Sequence, residues 1–301
     1  MPAALLITDP IAPEPFVAAL RDAAGDLALR VWHPELDLAG CADVEAVLAW
    51  RWPRGVLECL PRLRWACALA AGVDKLLVPG LPAAVGVSRI VDPEQALGVA
   101  QYVAALALRH LRALPLYEAQ QRERRWTRHP VEGALHRCAG VLGQGVIGRE
   151  VARVLAALGF EVQGWSRSAG VPLADFLPRH DLVVCALPLT AATVGLLDAH
   201  AFAAMKRGAY FINIARGGHV VEADLVAALR DGRLAGAALD VQSHEPLPSD
   251  DPLWNAPGVT VTPHIAAQSS PATIARQFVE GWRALQAGRP LPRLIDRARG
   301  Y

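Results

Sequence analysis

Short apolar runs alternate with amphipathic segments along the chain, the pattern of parallel strands joined by helical crossovers. In the first part, Ala4–Thr8, Leu27–Trp32, Val44–Trp50, Leu63–Leu69 and Val85–Ile90 predict five strands. Helix-compatible segments, Pro15–Ala24 and Arg54–Leu60, fall between them. Asp92-Pro93-Glu94-Gln95 then supplies an N-cap acid, a proline at the first helical position and a glutamine that completes a capping box. The helix it opens is expected to run to about Leu114, before Pro115, and to mark a domain boundary.

Beyond that helix, strands are predicted at Cys138–Leu142, Glu161–Trp165, Leu182–Leu187, Tyr210–Ile214, Ala237–Val241 and Val259–Thr262. Each is followed at once by a polar or glycine-rich turn. Ligands of open parallel sheets bind outside the carboxyl ends of the strands, so these turns form one candidate set. They hold GQGVIG at Gly143–Gly148, Ser166-Arg167, Pro188, Arg216-Gly217-Gly218, Asp240 and Pro263-His264.

The glycine turn sits between a predicted strand and a helical run from Val146 to Leu158. Gly143 suits the tight turn, Gly145 a close approach of backbone to a pyrophosphate, and Gly148 close packing of helix on strand. The amides of Gln144, Val146 and Ile147 open a helix N-terminus, which favours an anion. This is the fingerprint of a Rossmann-type dinucleotide site. The next strand ends in Ser166-Arg167 and lacks the carboxylate that would hold an NAD ribose. A hydroxyl and a guanidinium suit a 2′-phosphate, so NADP is expected over NAD, with NAD still possible. Leu187, Pro188 and Ala215, at strand ends, join the cofactor-binding set.

Three side chains on the same edge carry chemistry. Arg216 can fork onto a carboxylate and the adjacent carbonyl oxygen. His264 can deliver a proton near neutral pH, and Glu245 can pair with its imidazolium. A cation for a carboxylate, a proton donor and a hydride donor are what reduction of a 2-oxo acid needs. His244 competes with His264 by composition, but no strand end aims it at that edge.

Composition narrows the alternatives. Thirty basic and 29 acidic residues leave a formal charge of +1, which suggests no nucleic-acid or membrane-surface partner. The dense basic stretch Arg122–Arg128 around Trp126 is expected to be a solvated helix end or loop. Cys41, Cys59, Cys67, Cys138 and Cys185 are widely spaced and form no CxxC pair. Cys67, Cys138 and Cys185 fall in or beside strands as small buried residues, and a reducing cytoplasm fits. The N-terminal segment MPAALLITDP lacks a basic n-region and reads as a first strand, not a signal peptide. No apolar stretch is long enough to span a membrane, and no metal site is expected.

The motifs GxGxxG, INIARGG at Ile212–Gly218, ALDV at Ala238–Val241, EPLP at Glu245–Pro248 and TPHIA at Thr262–Ala266 together resemble the D-2-hydroxyacid dehydrogenase family. Within it, the WSR strand end, the AAGVD turn at Ala70–Asp74 and the terminal DRARGY at Asp296–Tyr301 are similar to the glyoxylate/hydroxypyruvate reductase A branch. The resemblance covers nearly the whole chain. It implies an enzyme that reduces glyoxylate or hydroxypyruvate, with Arg216, Glu245 and His264 as catalytic residues. It implies further that Asp240 bonds the nicotinamide carboxamide and that the backbone at Ala71, Gly72 and Val73 contacts the substrate carboxylate. Trp50 matches the aromatic position of the substrate pocket. The implied fold is α/β: a Rossmann-type doubly wound cofactor domain, residues 96–274, and a smaller flavodoxin-like substrate domain, residues 1–95 and 275–301. A homodimer through Leu114–His136 is implied as well.

Two features depart from the family pattern: Gln144 stands where alanine is usual, and Ser168-Ala169-Gly170 replaces further basic residues, which thins the 2′-phosphate site. Readings kept beside the reductase are action on another 2-oxo acid or a small oxyanion, and a non-catalytic dinucleotide-sensing regulator.

Overall fold

The computed structural model describes residues 2–130 and 132–301. Met1 and Val131, which fall within the N-terminal strand segment and the segment Leu114–His136 read above, lie outside the described residues. The chain divides into two compact units, Met1–Asp92 with Gln268–Tyr301, and Pro93–Ala267.

The first unit holds β1 (Ala3–Ile7), α1 (Glu14–Ala23), β2 (Leu29–Val31), β3 (Val44–Ala49), β4 (Trp65–Ala68) and β5 (Gly86–Ser88). The strands are all parallel in the order β2-β1-β3-β4-β5, the flavodoxin-like arrangement. Both faces of the sheet are covered, which is why its strands read as unbroken apolar runs. Ala3, Leu5 and Ile7 enter one core with Val47, Ala49 and Leu76. Ala4 and Leu6 enter the other with Leu48, Trp65 and the C-terminal helix Pro271–Gln286. That helix stacks Phe278 on Trp65, ring centroids 4.9 Å apart. It does so because Gly281 leaves the space: a Cβ there would lie 2.4 Å from the Trp65 ring. Arg297, in the terminal DRARGY run, donates to the carbonyls of Leu81, Pro82 and Val85.

One expected helix is much reduced. Gly55 takes a left-handed φ of +79° at the start of Arg54–Leu60, and only a single 3-10 turn, Leu57–Cys59, forms.

The second unit runs α2 (Pro93–Leu111), α3 (Leu114–Arg122), β6 (Cys138–Leu142), α4 (Val146–Ala157), β7 (Glu161–Trp165), α5 (Leu173–Phe176), β8 (Leu182–Cys185), α6 (Ala199–Ala204), β9 (Ala209–Asn213), α7 (Glu222–Arg230), β10 (Leu234–Leu239) and β11 (Val259–Val261). Its parallel sheet has the order β11-β10-β9-β8-β6-β7, so chain direction across the sheet reverses at the β6–β8 neighbours. That reversal is where a doubly wound sheet opens a crevice for a ligand. The period of two is again visible: Val183, Cys185 and Phe211 face one core, while Leu182, Val184 and Ile212 face the other with Val103 and Val151.

Helix α2 stops three residues earlier than its sequence suggested. Ala113 is left-handed, φ +49°, and Pro115 sits in the first turn of a separate helix, α3. The four-residue α5 and the six-residue α6 carry too few turns to show an apolar stripe in sequence. Cys41, Cys67 and Cys185 are buried, and burial pushes the Cys67 and Cys185 thiols up to about 12. Cys138 is only half-buried, because it opens β6 and its Sγ faces Glu161 at 3.8 Å. Among the described residues, no helix is long and apolar enough to cross a membrane.

At the amino-terminal end of this sheet, Asp181 accepts from Lys206 Nζ at 2.7 Å, Arg137 at 3.0 Å and the Cys138 amide at 2.9 Å. Burial alone would raise its carboxyl; the Lys206, Cys138 and Arg137 donors outweigh that and hold it below the usual carboxylate range. A depressed carboxyl stabilises the fold above its unfolded value, about 3.9, and loses that contribution as pH falls through its folded value. Asp181→Asn is therefore expected to lower Tm at neutral pH, with the gap to wild type narrowing in acid. A gap of constant size in thermal melts from neutral to acid pH would contradict this.

Candidate active site

The site is assembled at the carboxyl ends of the strands in the second unit. After β6, Gly143 adopts φ +106°, and a Cβ on it would lie 2.4 Å from the Ala186 carbonyl beyond β8. A Cβ on Gly148 would meet the Gly143 carbonyl oxygen at 1.9 Å, so α4 can approach the turn only with glycine there. Gly145 differs: nothing lies within 4 Å of where its Cβ would be. An open backbone position at a helix N-terminus is the cradle that a pyrophosphate requires, and this turn fits a dinucleotide.

Gln144 also has an explanation. Its Nε2 donates to the carbonyls of Val141 and Gly143, and its amide lies flat over Gly164 of β7. A Cβ at Gly164 would be 2.3 Å from that amide, so the two residues accommodate each other. Beyond β7, Ser166 is half-buried with its Oγ 3.1 Å from Ser168 Oγ, while Arg167 is exposed. Leu187 and Ala215 are buried at the ends of β8 and β9.

Arg216 follows β9 and is half-buried, with Nη1 donating to the Ala215 carbonyl at 2.7 Å. Its own carbonyl accepts from Asn213 Nδ2 at 2.9 Å and lies 3.0 Å from His219 Nδ1. His219 Nε2 lies 3.3 Å from the Pro188 carbonyl, which ties the Arg216 loop to the end of β8. On the other side the loop meets the segment after β10. A Cβ on Gly217 would sit 1.9 Å from the Gln242 carbonyl carbon. The Gln242 amide donates to Glu245 Oε1 at 3.3 Å, and Glu245 Oε2 lies 3.1 Å from His264 Nδ1. Glu245 and His264 are thus a direct pair, and Arg216 adjoins them through backbone contacts.

His264 has a left-handed backbone, φ +57°, which costs a non-glycine residue about 1–2 kcal/mol. Asp240, 1% exposed, supplies the restraint. Its carbonyl accepts the His264 amide, Oδ1 accepts the Ile265 amide and the Thr262 hydroxyl, and Oδ2 accepts the Ala266 amide.

His244 lies apart from this pairing, 3.2 Å from Ser243 Oγ, whose hydroxyl donates to Glu222. Among the described residues, no group of His, Cys, Asp or Glu side chains could hold a metal ion.

In the first unit, Trp50 directly follows β3 and is half-buried, with Lys75 Nζ 4.6 Å from its ring centroid. The turn Ala71-Gly72-Val73 follows β4; Val73 is buried, and its carbonyl accepts from Leu76.

The family model for the NAD-binding domain of D-isomer specific 2-hydroxyacid dehydrogenases matches residues 104–266. A glyoxylate/hydroxypyruvate reductase A from Yersinia enterocolitica is 40% identical over 273 residues, 84% of this chain and 87% of its own. The chain belongs to the D-isomer specific 2-hydroxyacid dehydrogenases. Two solved members are similar in fold. A D-isomer specific 2-hydroxyacid dehydrogenase from Xanthobacter autotrophicus Py2, in complex with NADPH and MES, matches with TM-score 0.90 and 38% identity over 99% of each chain. An NADPH-dependent glyoxylate/hydroxypyruvate reductase from Sinorhizobium meliloti, in complex with NADP and sulfate, gives TM-score 0.91 at 34% identity, covering 100% of this chain and 99% of its own.

Several residues of this dehydrogenase's strand-end network were not singled out from the sequence. Gln242, His219 and Thr262 bind through backbone carbonyls, amides or short hydroxyl contacts, which leave no spacing signature. The one available hint was that Thr262 stands within the same motif as His264, and that His219 directly follows the motif that holds Arg216.

Proposed function

We propose that this dehydrogenase reduces small 2-oxo acids, glyoxylate and hydroxypyruvate, to 2-hydroxy acids with NADPH. The observation that carries the reading is the Glu245–His264 pair at 3.1 Å, set on a turn anchored by Asp240. The names of the relatives and the NADPH or NADP bound by two neighbours support the substrate and cofactor.

When bound, the reduced nicotinamide supplies the hydride. The glycine turn would hold its pyrophosphate through the amides of Gln144 to Ile147, and Ser166-Arg167 would face its 2′-phosphate. Arg216 binds the substrate carboxylate and orients the keto group. A carboxylate only accepts hydrogen bonds, so Glu245 keeps the His264 proton on Nδ1 and directs Nε2 to the substrate. Nε2–H then protonates the carbonyl oxygen as negative charge develops there. In the first unit, the backbone of Ala71-Gly72-Val73 is assigned to the substrate carboxylate and Trp50 to the pocket wall. Conversion of glyoxylate by the purified enzyme, followed as loss of NADPH absorbance, tests the reading.

The cofactor preference has its own test. Ser166→Asp combined with Arg167→Ala is expected to reverse the ratio of kcat/KM from NADPH towards NADH. An unchanged ratio would remove these two residues from the 2′-phosphate site.

The enzyme is proposed to act as a homodimer in the cytoplasm. Leu114, Leu116, Trp126 and Leu135, exposed by 45, 39, 94 and 72%, concentrate apolar surface within Leu114–His136. A concentration-independent monomer in light scattering would remove the dimer.

A further inference from the structure

We propose that Tyr102 is a positioning residue for His264, acting through Thr262 and Asp240. The inference rests on the reading of His264 as proton donor and adds the device that holds it.

A left-handed non-glycine residue persists only where its surroundings over-determine it. Around His264, three consecutive amides, 264 to 266, converge on Asp240, at 2.8 Å each. The 264 amide binds the Asp240 carbonyl and the 265 and 266 amides bind its carboxylate, so the path of the turn just after His264 depends on where that carboxylate is held. Thr262 fixes it by donating to Oδ1 at 2.6 Å. Having donated its only proton, Thr262 Oγ1 must accept from the next group, the Tyr102 hydroxyl, at 2.5 Å. The direction of the chain is thus set: Tyr102 to Thr262 to Asp240.

Tyr102 stands on α2, where it lines the core with Val103 and Val151. Burial, opposed by the Thr262 bond and reinforced by Asp240 and Tyr210, pushes its hydroxyl up to about 12, so it keeps the proton it donates. The helix also meets the far end of the same loop. A Cβ on Gly98 would lie 2.8 Å from the Ala267 Cβ, and Gln95 Nε2 donates to the Ala267 carbonyl. The long helix is thus a fixed reference for the loop that carries the histidine, and through Thr262 its Tyr102 reaches the Asp240 carboxylate on which that loop is anchored.

Tyr102→Phe removes one hydroxyl and leaves the ring. The expected result with glyoxylate is a fall in kcat of about tenfold, with KM for glyoxylate and the fluorescence-titrated Kd for NADPH within about twofold. The isotope effect on kcat with 4-deuterated NADPH should rise, because a misplaced proton donor makes the chemical step slower. In the protein without cofactor, the side-chain 15N resonances of His264 should broaden while those of His219 stay in place. Thr262→Val should reproduce the loss, and Thr262→Ser, which keeps the hydroxyl, should recover most of it. The double variant Tyr102→Phe/Thr262→Val should be no worse than either single one, since both break one chain. Should Tyr102→Phe fail to fold, the Thr262 pair decides. Wild-type kcat and isotope effect in Tyr102→Phe would overturn the proposal, as would equal impairment of Thr262→Ser and Thr262→Val. A wild-type enzyme inactive on every 2-oxo acid would overturn the proposed function instead, and the His264 resonances would then judge the positioning alone.

Discussion

His264→Ala is expected to lower kcat by about 10²–10⁴-fold, the usual contribution of a positioned general acid. KM for the 2-oxo acid should change much less, because the carboxylate is held elsewhere. Hydride addition to a carbonyl leaves an alkoxide unless a proton arrives in the same step, and water is a poor donor at neutral pH. Glu245 bears on the same quantity: its 3.1 Å contact fixes which ring nitrogen carries which proton. The variant should keep its fold and its NADPH affinity, since His264 is partly open to solvent and fills no core position. Steady-state kinetics with saturating NADPH check this, and a kcat close to wild type would take His264 out of the mechanism.

Arg216→Ala is the second large effect. It should raise KM for the 2-oxo acid and cut kcat/KM by about 10²–10⁴-fold, the loss expected when a charged, two-pronged contact to a carboxylate disappears. The loop itself should survive the change. Its shape is held by backbone groups, the Arg216 carbonyl with Asn213 and His219, and the packing of Gly217 on Gln242. Arg216→Lys should recover only part of the loss, because an ammonium cannot reproduce the planar fork. Unaltered KM and kcat in Arg216→Ala would place the carboxylate contact elsewhere.

The sequence revealed most of the fold because both sheets are buried on both faces. Such strands stand out as short apolar runs, and β6 and β8 begin where the runs begin. The glycine turn was legible for a steric reason: Gly143 and Gly148 admit no Cβ, and Gly145 faces open space. The Glu245–His264 pair was readable only as two residue types at strand ends, and the structure brings them to 3.1 Å.

Other features left no trace in residue spacing. The left-handed backbone at His264 follows from amides gathered on Asp240, a contact between strands distant in sequence. The end of α2 depends on the conformation of Ala113, which no periodicity records. Arg54–Leu60 carries apolar residues at helical spacing, yet Gly55 turns the chain before a helix can form. Gln144 looked like a departure from the family pattern until Gly164 opposite it showed where the side chain goes.

On the proposed function, the strand-end residues form a 2-oxo acid reductase and not a dinucleotide sensor. The most direct measurement is the absorbance of NADPH when purified protein meets glyoxylate or hydroxypyruvate. Steady loss of NADPH with formation of the 2-hydroxy acid is expected, slowed about 10²–10⁴-fold in His264→Ala. Saturable binding of NADPH with no oxidation by any 2-oxo acid would contradict it.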